Sequence, residues 1–391
     1  MIHRISAILL FLLLITDLYI YRVYICQLTV RRCLRFAWWI PSLLLVIFFC
    51  SLLVGDNFTP ARITATSRCM TLYLLLTIPK TLFVLCSLIG STVMRVFGKS
   101  VQKIIVILSS IVAFGGVVLI GYGSTIGWHR FEVKEVEFFH PDVPSAFDGY
   151  RIVHISDWHI GTIAGHPERI IEAIDIVNAQ HPDLVVFTGD LVNNEVSELD
   201  GKEHIFNRIK ATDGVISILG NHDYGTYRQW ETKQAELDNL NALKEWERKN
   251  FGRLLLNEKH LIAHAGDTIA IIGVENDGNP PFPSLGDLPK AMEGTAPYFK
   301  ILLSHDPTHW RRRVLPDTDI PLTLSGHTHA MQFRIGNWSP SAWFYPEWSG
   351  FYYDGLRALY VNQGLGGAML AFRFGAWPEI TVHTLRRSFS D

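Results

Sequence analysis

Five short apolar runs in the second half of the chain each end at an aspartate, an asparagine or a histidine. The clearest run is residues 184–188, which stops at Gly189 and Asp190. Such a run is typical of a strand that is buried on both faces of a sheet. The other four are residues 151–156 before Asp157 and His159, 215–219 before Asn221, 300–304 before His305, and 322–325 before His327 and His329. Because ligands bind outside the carboxyl ends of strands in α/β sheets, we expect these side chains to meet at one edge.

The residue types at these strand ends indicate a metal site. The seven candidate ligands are Asp157, His159, Asp190, Asn221, His305, His327 and His329. Mixed oxygen and imidazole ligands suit manganese, iron, zinc or nickel better than calcium or magnesium. Seven donors exceed the needs of one ion with an open position, so the sequence favours two divalent metal ions that share a carboxylate. Two ions about 3.5–4 Å apart can clamp the attacking and leaving oxygens of phosphoryl transfer to water.

The order of these motifs resembles that of the calcineurin-like metallophosphoesterase superfamily. The matching blocks are Asp157 with His159, Gly189-Asp190, Gly220-Asn221-His222-Asp223, His305, and Gly326-His327-Thr328-His329, over roughly residues 150–330. The resemblance implies an α/β fold of two packed β-sheets flanked by helices. It also implies one ion held by Asp157, His159, Asp190 and His329, and a second held by Asp190, Asn221, His305 and His327.

The same resemblance gives His222 and Asp223 catalytic roles. It implies that His222 contacts the phosphate and protonates the leaving alkoxide, while a hydroxide held by the metals attacks. Acids behind catalytic histidines commonly orient them, so Asp223 is expected to orient and charge the His222 imidazole. Trp158 lies between two ligands, where it is equally compatible with a substrate wall and with packing. His309 lies close enough in sequence to His305 to be a candidate neighbour of the ligands.

The first third of the chain contains four stretches that predict membrane-spanning helices. A bilayer requires about 20 apolar residues, and residues 5–25, 36–54, 70–94 and 104–122 meet this length or approach it. Pro79-Lys80 interrupts the third stretch. All five cysteines also fall in this part, so the remaining chain has neither a disulfide nor a thiol nucleophile. The predicted organisation is a four-helix transmembrane anchor at residues 1–127 and a metallophosphoesterase domain at residues 128–391.

The positive residues around these spans favour one orientation in the cell membrane. Loop one joins the first and second spans, and loop three joins the third and fourth spans. These two loops and the adjacent span ends carry Arg22, Arg31, Arg32, Arg35, Arg95, Lys99 and Lys103. The opposite side of the membrane has the N-terminus, the loop between the second and third spans and the residues after the fourth span, with Arg4, Arg62, Arg68, Arg130 and Lys134. Because positive residues favour the cytoplasm, the larger set predicts a catalytic domain on the extracytoplasmic side. Inside the spans, Asp17 and Lys80 lie at similar depth, and charges in hydrocarbon usually pair. An ion pair is one hypothesis, and separate snorkelling or crevice-lining side chains are the alternative.

The membrane segment, residues 147–150 (Phe-Asp-Gly-Tyr) and residues 362–366 (Asn-Gln-Gly-Leu-Gly) resemble the bacterial membrane-associated branch of the superfamily. That resemblance implies an exported phosphodiesterase or an enzyme that cleaves the pyrophosphate of acylated UDP-sugar lipid precursors. The anchor favours a lipid-linked phosphate ester or pyrophosphate, with membrane lipids as partners and aromatic residues 343–353 as a lipid-facing lip. The alternatives are a phosphodiesterase of soluble esters and a non-catalytic metal-bound scaffold. With 35 Lys and Arg against 37 Asp and Glu, no nucleic-acid surface is expected.

Overall fold

The structure, a computed structural model, describes residues 2–29, 31–52, 59–98, 101–163, 165–368 and 370–387. It divides into two compact units. One comprises Met1–Asn57 and Ala65–Ile126, and the other comprises Phe58–Thr64 and Gly127–Asp391. The division at residues 126 and 127 lies next to the domain boundary that the sequence predicts.

Long apolar helices build the N-terminal part of the chain. They are α1 (Ile2–Val23), α2 (Arg32–Ala37), α3 (Ile40–Leu52), α4 (Pro60–Phe97) and α5 (Gln102–Thr125), with a 3-10 turn at Ile25–Gln27. Among the residues that the structure describes, four stretches are long and apolar enough to cross a membrane, namely Ser6–Gln27, Arg32–Ser51, Arg62–Phe97 and Gln102–His129. The four predicted spans are therefore confirmed as membrane-length helical stretches, although residues 53 and 54 of the second lie outside the described residues.

The hypothetical ion pair between Asp17 and Lys80 is present. Lys80 Nζ lies 2.6 Å from Asp17 Oδ1, and the Ser42 hydroxyl donates a hydrogen bond to the other carboxylate oxygen. Asp17 is fully buried, so the pair connects α1 with α3 and α4 inside the helical unit. The Pro79-Lys80 sequence does not interrupt the third span, because α4 continues through Pro79 for 38 residues. Proline removes one backbone donor, and packed neighbours in a helical bundle compensate for that loss.

The C-terminal unit is built on two six-stranded sheets. The first contains β1 (Glu132–His140), β2 (Arg151–Ile155), β3 (Leu184–Phe187), β4 (Val215–Ser217), β5 (Arg253–Leu254) and β12 (Glu379–Arg387), in the order β1-β12-β2-β3-β4-β5. The second contains β6 (Glu258–His264), β7 (Asp267–Gly273), β8 (Phe299–Leu303), β9 (Leu322–Ser325), β10 (Gly350–Asp354) and β11 (Arg357–Val361), in the order β10-β11-β9-β8-β7-β6. Within these sheets β2 to β5 are parallel, and so are β7, β8, β9 and β11.

The two sheets pack face to face over one apolar core. Ile152 and Val186 of the first sheet share a buried cluster with Ile301 and Leu324 of the second. Successive side chains of a strand point to opposite faces, so Val153 enters a different buried cluster on the other side of its sheet. This double burial explains why the parallel strands read as continuous apolar runs in the sequence.

Helices cover the outer faces of the sandwich. They are α6 (Ile160–Ile163), α7 (Pro167–Ala179), α8 (Glu203–Phe206), α9 (Lys233–Asn250), α10 (Leu288–Ala291) and α11 (Leu315–Asp317). In α7 the buried residues Ile170, Ile174 and Val177 recur at helical spacing and pack into the same cluster as the outer face of the first sheet. The predicted α/β fold of two packed sheets flanked by helices is confirmed.

Candidate metal centre

The loops that follow five strands bring the predicted ligands together at one edge of the sandwich. The ligands Asp157 and His159 follow β2, Asp190 follows β3, Asn221 follows β4, His305 follows β8, and His327 and His329 follow β9. Their backbones turn sharply at this edge. Asp157, His159, Asp190, His327 and His329 adopt φ angles of 52°, 47°, 60°, 73° and 50°, in the left-handed region that non-glycine residues seldom occupy.

Two motif glycines are required by close packing against the ligands. A Cβ atom on Gly220 would lie 2.2 Å from Asp190 Oδ1, and one on Gly326 would lie 2.3 Å from Asp157 Oδ2. Both distances are far below a van der Waals contact, and both neighbours are buried carboxylates. An alanine at either position would therefore displace a ligand, which explains why glycine precedes Asn221 and His327.

The first group of ligand atoms forms around His159. Its Nε2 lies 3.1 Å from His329 Nε2, 3.9 Å from Asp157 Oδ1 and 3.6 Å from Asp190 Oδ2. His329 Nε2 in turn lies 3.2 Å from Asp157 Oδ1. All four side chains are at least nine-tenths buried, except that His329 retains slight side-chain exposure.

The second group of ligand atoms forms around His305. Its Nε2 lies 3.2 Å from Asp190 Oδ2, 3.1 Å from Asn221 Oδ1 and 3.3 Å from His327 Nδ1. His327 Nδ1 also lies 2.7 Å from Asn221 Oδ1. Asp190 therefore contributes to both groups through the same oxygen, as the sequence expectation of a bridging carboxylate requires.

The spacing and charge of these atoms fit divalent ions. Two ligand atoms about 2.1 Å from one ion, at a tetrahedral angle, lie about 3.4 Å apart, which matches the separations in both groups. Burial lowers the pKa of His305, but the adjacent Asp190 carboxylate outweighs burial and raises that pKa to about 10. The Asp190 carboxylate thus favours a positive charge beside His305, whereas burial lowers the pKa values of His159, His327 and His329 and so favours neutral imidazoles there. The residues present could hold metal in the arrangement that the resemblance implies.

Three contacts outside the sequence motifs orient the ligands of the second group. His305 Nδ1 donates to the Thr188 carbonyl at 2.6 Å, which leaves Nε2 to face the other ligands. The Asn221 amide donates from Nδ2 to the Tyr227 hydroxyl at 2.8 Å, so that Oδ1 faces the group. The Tyr345 hydroxyl lies 2.8 Å from His327 Nε2. Sequence reasoning missed both tyrosines, since a single tyrosine in a loop carries no pattern.

His222 lies beside both groups. One ring nitrogen of His222, one ring nitrogen of His159 and one carboxylate oxygen of Asp190 all lie within 4.8 Å of one another. The Nδ1 atom of His222 lies 2.8 Å from the carbonyl oxygen of Asn193 and donates to it, so Nε2 is the nitrogen left for the site. The backbone N–H of His222 donates to Asp190 Oδ1 at 2.8 Å, which fixes the residue relative to the shared carboxylate.

Asp223 makes different contacts from those that the sequence predicts. Its Oδ2 accepts hydrogen bonds from the backbone amides of Asp190 and Gly220, each at 2.8 Å. Its Oδ1 accepts from the amides of Leu191 at 2.8 Å and Val192 at 3.1 Å. Within the described part of the chain, the carboxylate thus holds the Asp190 loop and does not contact the His222 imidazole. Burial and then the charge of Asp190 raise the pKa of Asp223 to about 7, and amide donors oppose that rise.

Two further residues near the ligands have structural contacts. Trp158 is fully buried and packs edge-on against Phe206, with 5.7 Å between ring centroids, which favours packing over a substrate wall. His309 is also buried, and its Nδ1 lies 2.9 Å from the Ser304 hydroxyl while its Nε2 lies 3.6 Å from Asp277. The His309 ring therefore contacts Ser304, the residue before His305, and Asp277, and neither of them is a candidate ligand.

The aromatic segment at residues 343–353 is split by the strand that it contains. Trp343 and Phe344 precede β10 and are 71 % and 67 % exposed. Within β10, Gly350 pairs with Val361 at the end of the hairpin that lies beside the end of β9. Tyr353 pairs with Ala358, three positions further from that end. The predicted lipid-facing lip stays a prediction, and the segment before β10 is the part whose exposure is compatible with it.

Comparisons with known proteins identify the family of this domain. The family model described as "Calcineurin-like phosphoesterase" matches residues 150–331, which contain all seven ligands. The uncharacterized metallophosphoesterase YkuE of Bacillus subtilis is 32% identical over 281 residues, which cover 68% of this chain and 89% of that protein. The chain belongs to the calcineurin-like phosphoesterases. It is accordingly a metal-dependent hydrolase of phosphoric esters.

Other similarities place this phosphoesterase among membrane proteins. A second family model, "Probable Calcineurin-like phosphoesterase, transmembrane domain", matches residues 3–128. A "Transmembrane protein with metallophosphoesterase domain" of Danio rerio is 28% identical over 281 residues, covering 69% of the phosphoesterase and 61% of that protein. The UDP-2,3-diacylglucosamine pyrophosphatase LpxG of Chlamydia trachomatis is 28% identical over 288 residues, covering 60% and 83% respectively.

Proposed function

We propose that this phosphoesterase uses two divalent metal ions to hydrolyse a phosphate ester or pyrophosphate that is linked to a lipid. The position of Asp190 carries the proposal. Its Oδ2 lies 3.6 Å from His159 Nε2 and 3.2 Å from His305 Nε2, so one carboxylate serves both ligand groups. One ion would be held by Asp157, His159, Asp190 and His329, and the other by Asp190, Asn221, His305 and His327. Manganese, iron, zinc and nickel all suit these ligands.

His222 is the proposed proton donor. The Asn193 carbonyl holds its Nδ1, so the remaining nitrogen can contact a phosphoryl oxygen and protonate the leaving oxygen when the P–O bond breaks. The Tyr227 ring supports this orientation, because its centroid lies 4.4 Å from that of His222. When bound, the ions supply neutralising charge and lower the pKa of the attacking water. Asp223 contributes indirectly, since its four amide contacts hold the loop that presents Asp190.

Two observations support a lipid-linked substrate, and a third supports a catalytic domain outside the cytoplasm. The Chlamydia trachomatis relative is named for hydrolysis of an acylated UDP-sugar. The same chain carries helical stretches long and apolar enough to cross a membrane, and such an anchor would tether the catalytic domain to a bilayer. The excess of Lys and Arg in loops one and three supports an extracytoplasmic domain. Protease added to intact spheroplasts tests this orientation, since it should cleave an external domain and spare an internal one.

Metal content and hydrolysis of bis-p-nitrophenyl phosphate by the purified full-length protein test the mechanism. We expect about two ions per wild-type chain and fewer in Asp190→Asn, because that change weakens the shared ligand. His222→Ala should retain its metal and lose about 10²–10⁴-fold in hydrolysis, the usual contribution of a general acid. His166→Ala is a matched control, because the His166 side chain is 53 % exposed and pairs with Glu168.

Each outcome separates the proposal from an alternative. Hydrolysis that neither Asp190→Asn nor His222→Ala reduces would refute the site assignment. One ion per chain with full hydrolysis would remove the second ion from the mechanism. Two bound ions without hydrolysis of any phosphate ester would favour the non-catalytic scaffold.

A further inference from the structure

Five aromatic side chains of the C-terminal unit contact one another in a continuous row. Trp377 contacts Phe374, Phe374 stacks on Phe333, Phe333 contacts Trp338, and Trp338 contacts Trp343. The successive ring centroids are 6.1, 5.8, 6.4 and 5.5 Å apart. We call these five residues the aromatic row. Its members come from two separate loops, so the row exists only in the folded unit.

Two of the five side chains of the aromatic row are exposed. Trp338 is 42 % exposed and Trp343 71 %, and the adjacent Ile335 is 57 % exposed. Ile335 and Trp338 pair through two backbone hydrogen bonds, which makes a tight turn that presents both side chains outward. Large apolar side chains that are exposed next to one another typically mark a binding surface.

Each end of the aromatic row is next to a residue that bears on a lipid substrate, Arg130 at one end and Tyr345 at the other. At one end the Trp377 ring lies 4.8 Å from the Arg130 guanidinium, and Arg130 directly follows the last membrane-length stretch, Gln102–His129. At the other end Trp343 is two residues before Tyr345, whose hydroxyl contacts the ligand His327. Tryptophan and arginine together are characteristic of the membrane–water interface, where the ring is in contact with lipid and the charge with headgroups.

We propose that the aromatic row binds the hydrocarbon chain of the substrate while its phosphoryl group occupies the metal centre. This inference rests on the proposed phosphoesterase function and adds the surface that selects lipid over soluble esters. The occupant is an acyl or alkyl chain rather than a polar partner, because the three large side chains exposed there, Ile335, Trp338 and Trp343, are apolar. The turn residue Asn337 is the exposed polar neighbour of these side chains. Arg130 and Arg334 flank the row, and Arg334 is itself anchored by a hydrogen bond from Nε to the Gly336 carbonyl. Both cations suit the phosphate-rich surface from which a lipid substrate would come.

A series of alkyl p-nitrophenyl phosphates tests the inference on the purified full-length protein in one detergent. The methyl, octyl and dodecyl esters share a phosphodiester and a leaving group, and they differ only in chain length. Each buried CH₂ contributes about 0.8 kcal/mol, or about fourfold in kcat/KM, so two covered methylenes already give about 15-fold. We therefore expect wild type to hydrolyse the dodecyl ester with kcat/KM at least about tenfold above that of the methyl ester.

The variant Trp338→Ser/Trp343→Ser should lower the ratio of dodecyl to methyl kcat/KM at least about tenfold. Trp343→Ser alone is the second variant, since its side chain is mostly solvent-exposed and its replacement leaves the core unchanged. Leu356→Ser is the control. Leu356 is 59 % exposed and lies in the turn between β10 and β11, at the end of that hairpin away from the metal centre.

An unchanged ratio in both tryptophan variants would overturn the inference, even if vesicle binding fell, because the row would then contact the bilayer and not the substrate. An unchanged ratio with an altered oligomeric state would assign the row to a second copy of the chain and would overturn it as well. Failure of wild type to hydrolyse any of the three esters would instead refute the proposed function. The two failures are therefore distinguishable.

Discussion

Replacing Asp223 by asparagine would test whether this carboxylate supports the metal loop or activates His222. The present carboxylate accepts four backbone hydrogen bonds, two at each oxygen. Asparagine offers one oxygen and one NH₂ group of the same size. Whichever way the amide is placed, two backbone N–H groups then face another donor in a fully buried position.

The magnitude follows from the number of lost acceptors. A buried donor without a partner costs about 1–3 kcal/mol, so Asp223→Asn should destabilise the fold by about 2–6 kcal/mol. That is a large part of the 5–15 kcal/mol that typically separates folded from unfolded domains. Since 1 kcal/mol shifts Tm by about 2–4 °C in a domain of this size, Tm should fall by about 4–24 °C.

Thermal unfolding and metal content of the detergent-solubilised protein measure this effect. The comparison is made at pH 8, above the raised pKa of Asp223, where the wild-type carboxylate is charged. Asp142→Asn is the control, because the Asp142 side chain is 80 % exposed. We expect lower Tm and weaker metal retention in Asp223→Asn and neither change in Asp142→Asn.

One result would refute this reasoning. Wild-type Tm and metal content in Asp223→Asn, together with a large loss of hydrolysis and a shifted pH profile, would show that the carboxylate acts on the imidazole. The role predicted from the sequence would then be right, and the amide contacts would be incidental.

Three other perturbations have defined outcomes. Burial lowers the pKa of His383 from its ordinary value of 6.5 to about 3. Between these two pH values only the unfolded chain takes up the proton, so the free energy of unfolding decreases as the pH falls. His383→Leu should remove this decrease, which amounts to about 2 kcal/mol at pH 5 relative to pH 8 and is measured in unfolding experiments. Lys80→Met should destabilise the helical unit by about 3–5 kcal/mol by leaving Asp17 buried without its cation, and the addition of Asp17→Leu should restore the Tm, contrary to a merely steric effect. Tyr345→Phe should weaken metal affinity about 10–100-fold through loss of its contact to His327, and unchanged metal titrations would contradict that role.

The convergence of the candidate ligands at one edge was predictable because each of them follows an apolar strand. Asp157 and Asp190 follow neighbouring parallel strands, and His305 and His327 follow another neighbouring pair. Parallel strands present their carboxyl ends at the same edge whatever the connecting helices do, so local sequence contains the required information. The Asp17–Lys80 pair was accessible for a similar reason, since helical rise alone gives both residues the same depth in the membrane.

The orienting contacts were not predictable, because they depend on how irregular loops fold. Tyr345 reaches His327 across a loop of 18 residues that has no periodic pattern. Asp223 is next to His222 in the chain, but adjacent residues of a turn point in different directions, and its side chain faces the amides after β3. Residues 343–353 were predicted to form one lip because the residues before the strand and those within it are equally aromatic. The β10 strand divides this segment in the structure.

The left-handed backbone at the candidate ligands has a consequence for how the proposed ions would leave the protein. Asp157, His159, Asp190, His327 and His329 all have positive φ angles. At roughly 1–2 kcal/mol per residue, these conformations together cost about 5–10 kcal/mol, which is comparable to the stability of a whole domain. The sheets and, when bound, the proposed ions would jointly offset this cost, so chelation would remove one of the two supports. The ligand loops should then open while the sandwich stays folded, and the residence time of the ions becomes a matter of loop-opening kinetics rather than of global stability.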